Sequence, residues 1–367
     1  MSKPEVQNAK QYPCRQCGGE LTFLPGSNSL KCPYCGFENT IARSDVKIEE
    51  LDYRGYLEQA AKEKDTHEAQ RTKCEQCGAE TTMPASVTSG LCPFCGAPMI
   101  FAGKTSQLIR PEALLPFKVT QKDAFADFRI WINRLWFAPS DLKRYAQSEG
   151  KLVGVYIPCW TYDCETTSSY TGERGDHYYT TERDSSGRTV REQHTRWTAA
   201  SGTVSNNFDD VLVIASNSLP KAYADRLQPW DLKNLVPYGD EYLSGFRAES
   251  YQVSLQQGFE LAKQIMGVAI RNAVCREIGG DGQRVLSVNT QYGKTTFKHI
   301  LLPVWLSAYR YRDKVYRILI NARTGSVRGE RPYSTWKIAI AVVIAIVILL
   351  FFLYANSGGT GGFQINR

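Results

Sequence analysis

Cys14-Arg15-Gln16-Cys17-Gly18 followed by Cys32-Pro33-Tyr34-Cys35-Gly36, and Cys74-Glu75-Gln76-Cys77-Gly78 followed by Cys92-Pro93-Phe94-Cys95-Gly96, organise the first hundred residues of this chain. Every cysteine of the first set returns 60 positions later, and Glu20 returns as Glu80. Within each set, two Cys-x-x-Cys pairs are separated by fourteen residues. Two residues between cysteines let a tight turn aim both thiolates at one ion. The glycine after each pair adopts a positive φ at no steric cost, which lets backbone N–H groups face the sulfurs. Two such turns at the ends of a short hairpin complete a tetrahedral shell of four sulfurs. A filled shell leaves no position for water or substrate, so the expected ions are structural. The reading is two Zn2+ ions, one held by Cys14, Cys17, Cys32 and Cys35 and one by Cys74, Cys77, Cys92 and Cys95. Iron in a rubredoxin-like site and dithiol redox chemistry use similar turns. Two matched quartets are hard to explain as redox dithiols. Each ribbon holds too few apolar residues to fold without its ion.

The chain has 367 residues, eleven cysteines and a formal net charge of +7. So many cysteines in a reducing compartment should be binding something. Three fall outside the quartets. Cys159 and Cys164 have no partner pair and no nearby histidine and read as packed thiols, and Cys275, at the end of an apolar helix, reads as core.

Near the C-terminus, Trp336-Lys337-Ile338-Ala339-Ile340-Ala341-Val342-Val343-Ile344-Ala345-Ile346-Val347-Ile348-Leu349-Leu350-Phe351-Phe352-Leu353-Tyr354 carries no charge, glycine or proline from Ile338 onward. As a helix it spans about 28 Å, close to the hydrocarbon thickness of a bilayer. Trp336 and Tyr354 stand at its ends, where aromatic rings favour the headgroup zone. Between Ala308 and Lys337 stand Arg310, Arg312, Lys314, Arg317, Arg323, Arg328, Arg331 and Lys337 against only Asp313 and Glu330. Cationic flanks stay on the cytoplasmic side, so the expectation is a single-pass protein of the cell membrane with its N-terminal bulk in the cytoplasm. Met1 to Tyr12 is polar and does not read as a signal peptide.

The expected fold class is α+β: two small four-cysteine zinc ribbons, a larger mixed domain and one C-terminal transmembrane helix. Residues 1–12 read as disordered, 13–41 as the first ribbon, 42–72 as a helical linker and 73–101 as the second ribbon. Residues 102–116 form a connector, 117–335 the α+β domain, 336–354 the span and 355–367 a Gly-rich tail. In the α+β domain, Lys122–Trp136 and Ser254–Ile278 carry helical apolar stripes, and Pro139-Ser140-Asp141 opens a short further helix. Leu152–Trp160, Val285–Val288, Phe297–Tyr309 and Val315–Ile320 read as strands, and 177–214 as long polar hairpins turning at Asp184-Ser185-Ser186-Gly187. Val155-Tyr156-Ile157-Pro158-Cys159-Trp160 is similar to Ile300-Leu301-Leu302-Pro303-Val304-Trp305. Each follows a helix, as two helix-then-sheet units of one pseudo-symmetric domain would.

The residues do not converge on catalysis. His67, His177, His194 and His299 lack metal-ligand spacing, and Asp163 and Glu165 read as a solvated strand face. Gly293-Lys294-Thr295 lacks the leading glycine of a phosphate loop, since Val288 stands there. The chain is read as not an enzyme. Nucleic acid is a natural partner for zinc ribbons, but residues 1–107 hold twelve Lys and Arg against thirteen Asp and Glu. Phosphate neutralisation needs a basic surface, so nucleic acid is an unfavoured partner, and the ribbons read as protein-contact knobs presenting Tyr34, Phe37 and Phe94.

The Cys-Pro-aromatic-Cys-Gly turns, the Leu302-Pro303-Val304-Trp305 and Thr324-Gly325 patterns and Gly329-Glu330-Arg331-Pro332 before the span resemble a bacterial family with transcription-factor-IIB-type zinc ribbons. It is often labelled primosomal-protein-N′-like or replication-restart helicase-like. No Walker lysine loop or motor motif accompanies them here, so the helicase label does not transfer. The resemblance implies a membrane anchor for cytoplasmic scaffold proteins of the flotillin-like (SPFH) or phage-shock-A type, acting in envelope stress. The alternative function is a membrane-tethered nucleic-acid-binding or transcription regulator.

Overall fold

A long antiparallel hairpin and the strand beside it form the spine of the molecule. The computed structural model describes residues 12–42, 46–60, 67–82, 89–92, 94, 97–100, 104–139, 152–183, 187–311 and 314–357. In chain order the principal elements are helix α1 (Tyr53–Ala60), strand β1 (Ala113–Leu114), helix α2 (Gln121–Asn133), strands β2 (Val153–Arg183) and β3 (Thr189–Ile214), helix α3 (Leu255–Ile278), strands β4 (Gly282–Tyr311), β5 (Lys314–Asn321) and β6 (Val327–Gly329), and helix α4 (Thr335–Ser357). β2 pairs antiparallel with β3 on one side and with β4 on the other. β5 and β6 continue the sheet beyond β4, and β1 joins β4 in parallel. The architecture is mixed α+β, as expected from the sequence.

The strands change character along their length. β2 is buried on both faces from Gly154 to Tyr162, and after Cys164 burial alternates residue by residue. That alternation is the mark of a sheet covered on one face only. On one face, Tyr156, Leu301, Trp305, Ile318 and Ile320 pack against Ala124, Phe128 and Ile132 of α2 and against Leu21, Phe23 and Leu30 of the first cysteine module. The other face, carrying Val155, Ile157, Cys159, Ile300, Leu302 and Val304, receives Cys74, Cys92 and Phe94 of the second module. The two modules therefore sit on opposite faces of one sheet.

α3 covers Trp160, Tyr162 and Cys164 further along the first face. Its start is fixed by a capping box between Ser254 and Gln257, which satisfies two backbone donors reciprocally. Gly258 lets the helix lie close, since a Cβ there would run into Tyr162 Oη and fall 2.8 Å from Trp160 Cδ1.

The internal similarity in the sequence is a structural duplication. The two hexapeptides are neighbours in the sheet, paired about Ile157↔Leu302. Trp160 Nε1 donates to Val253 O, two residues before α3, and Trp305 Nε1 donates to Val119 O, two residues before α2, both at 2.9 Å. Ala215 N–H donates to Pro158 O while its carbonyl accepts from Gln252 and Val253; Ala322 N–H donates to Pro303 O while its carbonyl accepts from Lys118 and Val119. Each helix start is thus latched by the same tryptophan, proline and alanine set.

Several boundaries differ from the expectation. The segment 42–72 is not one helix: Leu51–Asp52 pairs with β4, α1 is only eight residues long, and His67–Lys73 is a strand. Tyr53 and Tyr56 on α1 pack tilted and edge-on against Phe259 and Phe297, while strand pairing at Leu51–Asp52 and at His67–Arg71 overrides the local helical patterning on either side. The connector is likewise part of the sheet, through Lys104–Leu108 against His67–Arg71 and through β1. The polar hairpins are one hairpin, β2–β3, and Val285–Val288 and Phe297–Tyr309 are one strand, β4. The helix expected after Pro139, residues 1–11 of the stretch 1–12 read as disordered, and the end of the Gly-rich tail lie outside the described residues; Tyr12 is held in the fold, its carbonyl accepting from Leu21 N–H.

α4 is long and apolar enough to cross a membrane over Thr335–Tyr354, and its apolar stretch is not buried. At about 1.5 Å per residue those twenty residues rise about 30 Å.

Candidate metal centres

Cys14 and Cys32 are buried, whereas Cys17 and Cys35 are exposed. All four sulfurs lie within 4.8 Å of one another. Cys14 and Cys35 are 3.5 Å apart, as are Cys17 and Cys32. Metal–sulfur bonds of ~2.3 Å in a tetrahedron give sulfur–sulfur edges of about 3.8 Å, whereas a disulfide needs about 2.05 Å. The donor set therefore fits a four-coordinate ion.

The backbone around it is built for thiolates. In the first turn Gly18 N–H donates to Cys14 O and Cys14 N–H to Gly19 O; in the second, Gly36 N–H donates to Cys32 O and Cys32 N–H to Phe37 O. Gly18 and Gly36 have φ of 74° and 76°, conformations that glycine accepts without a Cβ penalty. Gln16 N–H donates to Cys14 Sγ at 3.4 Å. The N–H groups of Cys35 and Tyr34 hold the Cys32 thiol down, to about 6. Cys35 is pushed up to about 12: the Phe37 N–H favours its thiolate, but loss of solvent and the neighbouring sulfurs outweigh that.

The second cluster repeats the plan with Cys74, Cys77 and Cys92. Cys77 and Cys92 sulfurs are 3.6 Å apart. Gly78 N–H donates to Cys74 O, Cys74 N–H to Ala79 O and Cys92 N–H to Ala97 O. Gly78 has φ 74°, and Phe94 N–H donates to Cys92 Sγ at 3.4 Å. Cys95, the fourth expected ligand, lies outside the described residues. Both Cys-rich clusters could hold a metal ion.

The modules are seated differently. The first is joined by Phe23 N–H donating to Ser244 O, Gly26 N–H to Phe117 O and Ser244 Oγ to Leu21 O. Its Tyr34 is 80% exposed and Phe37 is partly buried. The second is joined by Thr81 and Thr82 pairing with Glu249 and Ala248. Phe94 does not present itself to a partner as expected from the sequence. It is completely buried, because it fills the underside of the sheet, and its carbonyl accepts from Arg317 Nε.

The remaining singled-out residues do not join these centres. Cys159 and Cys164 are buried on opposite faces of β2, their thiols pushed up by burial, and Cys275 is half-buried rather than core. His299 is held down to about 4 by burial, its Nδ1 facing Ile109 O. Gly293-Lys294-Thr295 lies inside β4. Glu165 is exposed, while Asp163 faces Asp209 and Asp210 across a bulge, with Lys298 Nζ 2.8 Å from Asp210, 3.1 Å from Glu50 and 3.8 Å from Asp163. Burial pushes Asp163 up to about 6. This cluster draws from four chain segments, so only the strand register could have revealed it.

Two further acids, Glu112 (half-buried) and Glu249 (buried), carry no sequence signal. Glu112 accepts from His299 N–H at 2.6 Å and is pushed up to about 7 by burial. Glu249 accepts from Ser216 and Ser218 and is pushed up to about 8 by burial.

No protein-family model matches the chain, and no solved structure matches it, so the replication-restart label gains no support. The chain is 27% identical over 341 residues to "Uncharacterized protein YdjG" of Bacillus subtilis (strain 168), an alignment covering 89% of this chain and 92% of that protein.

Proposed function

We propose that this chain is a non-enzymatic, single-pass membrane adaptor whose two four-cysteine zinc ribbons present it to cytoplasmic scaffold proteins. The observation that carries the reading is the first quartet: four sulfurs at tetrahedral spacing, seated by backbone bonds on the sheet. A shell of four thiolates has no open coordination position, so such an ion staples a surface and does not activate a substrate. Three sulfurs of the second cluster, those of Cys74, Cys77 and Cys92, are gathered in the same way on the other face. α4, wholly unburied and apolar, supports the membrane anchor, and the basic flank from Arg310 to Lys337 supports a cytoplasmic body. The exposed ring of Tyr34 supports contact through the first ribbon. The SPFH or phage-shock-A character of the partner comes from the sequence resemblance alone.

The test is affinity capture from detergent-solubilised membranes with the full chain and with Cys14→Ser/Cys17→Ser. Loss of the captured scaffold protein in the variant, with membrane insertion retained, is the expected result. Capture of the same proteins by both would overturn the adaptor role of the first ribbon. Salt-sensitive retention of DNA or RNA in place of protein would favour a tethered regulator.

A further inference from the structure

The turn after α2 carries two aromatic side chains that the fold leaves in the open. Trp136 is 85% exposed and Phe137 41% exposed, although Leu135 and Ala138 on either side are buried. The turn is held in place: Leu135 N–H donates to Ile132 O and Ala138 N–H to Leu135 O. It is also tied to the start of α4. Ser334 N–H donates to Phe137 O at 2.7 Å, and Lys337 Nζ donates to Ala138 O at 2.8 Å.

Those two bonds set its height. Ser334 stands only two residues, about 3 Å along a helix axis, before Trp336, so the Phe137 backbone bonded to its N–H lies close to the level of Trp336, and the Lys337 side chain reaches the same turn. Trp336 is itself 74% exposed. If α4 crosses a bilayer, its first turn sits in the headgroup zone, where amphipathic indole rings are favoured. Trp136 and Phe137 then sit in the same zone. Arg134 and Arg331 are exposed nearby, the latter with its guanidinium 5.1 Å from the Tyr333 ring centroid. Such cations are attracted to anionic headgroups.

We propose that the Trp136–Phe137 turn is a second membrane contact, an aromatic wedge that enters the headgroup layer beside α4 and fixes how the α+β body leans on the bilayer. This rests on the membrane reading of α4. The occupant is lipid because the turn is continuous with the first turn of the span.

The experiment uses the full chain in nanodiscs of mixed zwitterionic and anionic lipid, with acyl chains brominated near the carbonyl end or near the methyl end. Tryptophan emission is compared for the wild type, Trp136→Phe and Trp336→Phe. The expected result is that each substitution removes emission quenched by shallow bromines and little quenched by deep ones. Buried Trp160 and Trp305 provide unquenched reference signal. If Trp136→Phe removes only unquenched emission while Trp336→Phe removes quenched emission, the wedge is refuted and the span stands; the turn would then be a protein-contact site. If neither removes quenched emission, the membrane reading fails with it.

Discussion

Replacing Glu249 with glutamine should flatten the pH dependence of stability. Glu249 is 3% exposed, its Oε1 accepts from Ser216 and Ser218, and its Oε2 has no hydrogen-bond partner among the described residues. Among the described residues no cation pairs a negative charge there, and burial raises its pKa from 4.5 to about 8. A carboxyl with a folded value above its unfolded one stabilises the fold while protonated. That contribution is complete below about 4.5 and is lost as pH climbs through about 8. At about 1.36 kcal/mol for each pH unit separating the two values, the loss between about pH 5 and pH 8 is on the order of 3 kcal/mol. Glutamine keeps the acceptor at Oε1 and places a neutral amide where the protonated oxygen was, so Glu249→Gln mimics the protonated form at every pH. Thermal unfolding in detergent, followed by near-ultraviolet circular dichroism across that range, measures the difference between the proteins. They should unfold alike at the acidic end, and the variant should unfold several degrees higher at the alkaline end. Parallel profiles, or a variant less stable at pH 8, would refute the assignment of a buried neutral acid.

Three further outcomes follow from the geometry. Cys14→Ser should halve the bound metal, because the second cluster is built from separate turns on the opposite face; metal content unchanged by the substitution would contradict the quartet. Gly258→Ala should destabilise by about 1–3 kcal/mol through overpacking against Tyr162 and Trp160, read as a lower midpoint in the same thermal assay. Trp160→Phe and Trp305→Phe, each losing an equivalent bond to the chain ahead of a helix, should cost similar amounts, of order 1–3 kcal/mol. A several-fold disparity between them would argue against the duplication.

The features legible in the sequence are local or periodic. The cysteine spacing marks the clusters of Cys14, Cys17, Cys32 and Cys35 and of Cys74, Cys77 and Cys92, because thiolate chemistry tolerates few arrangements. The apolar stripes of Phe125–Phe128–Ile132 and of Phe259–Met266–Ile270 marked α2 and α3, and α4 stood out by composition. The long strands were harder. Between Val288 and Phe297, β4 runs through Asn289, Thr290, Gln291, Gly293 and Lys294, mostly exposed, so no apolar alternation marks it. The segment around His67 reads as charged helix, yet its backbone pairs with Lys104–Leu108, a partner that sequence does not reveal. Phe94 looked like a surface aromatic because its place beneath the sheet depends on Arg317 and Leu319, more than two hundred residues away. The Asp163–Asp210–Lys298 cluster and Glu249 share that cause: their environment is assembled by register. The paired Pro-x-Trp hexapeptides gave a true hint of symmetry, but the latching of Trp160 and Trp305 onto opposite helices emerges only in three dimensions.

Two thiolate shells, each clamping an ion shut, would leave a fixed metal stoichiometry. Elemental analysis of the purified full-length protein, prepared under reducing conditions without added chelator, measures this directly. Two zinc equivalents per chain are expected, with all eight thiols of the two cysteine sets shielded from alkylation until the metal is stripped. A folded, metal-free protein whose quartet cysteines alkylate freely would contradict it.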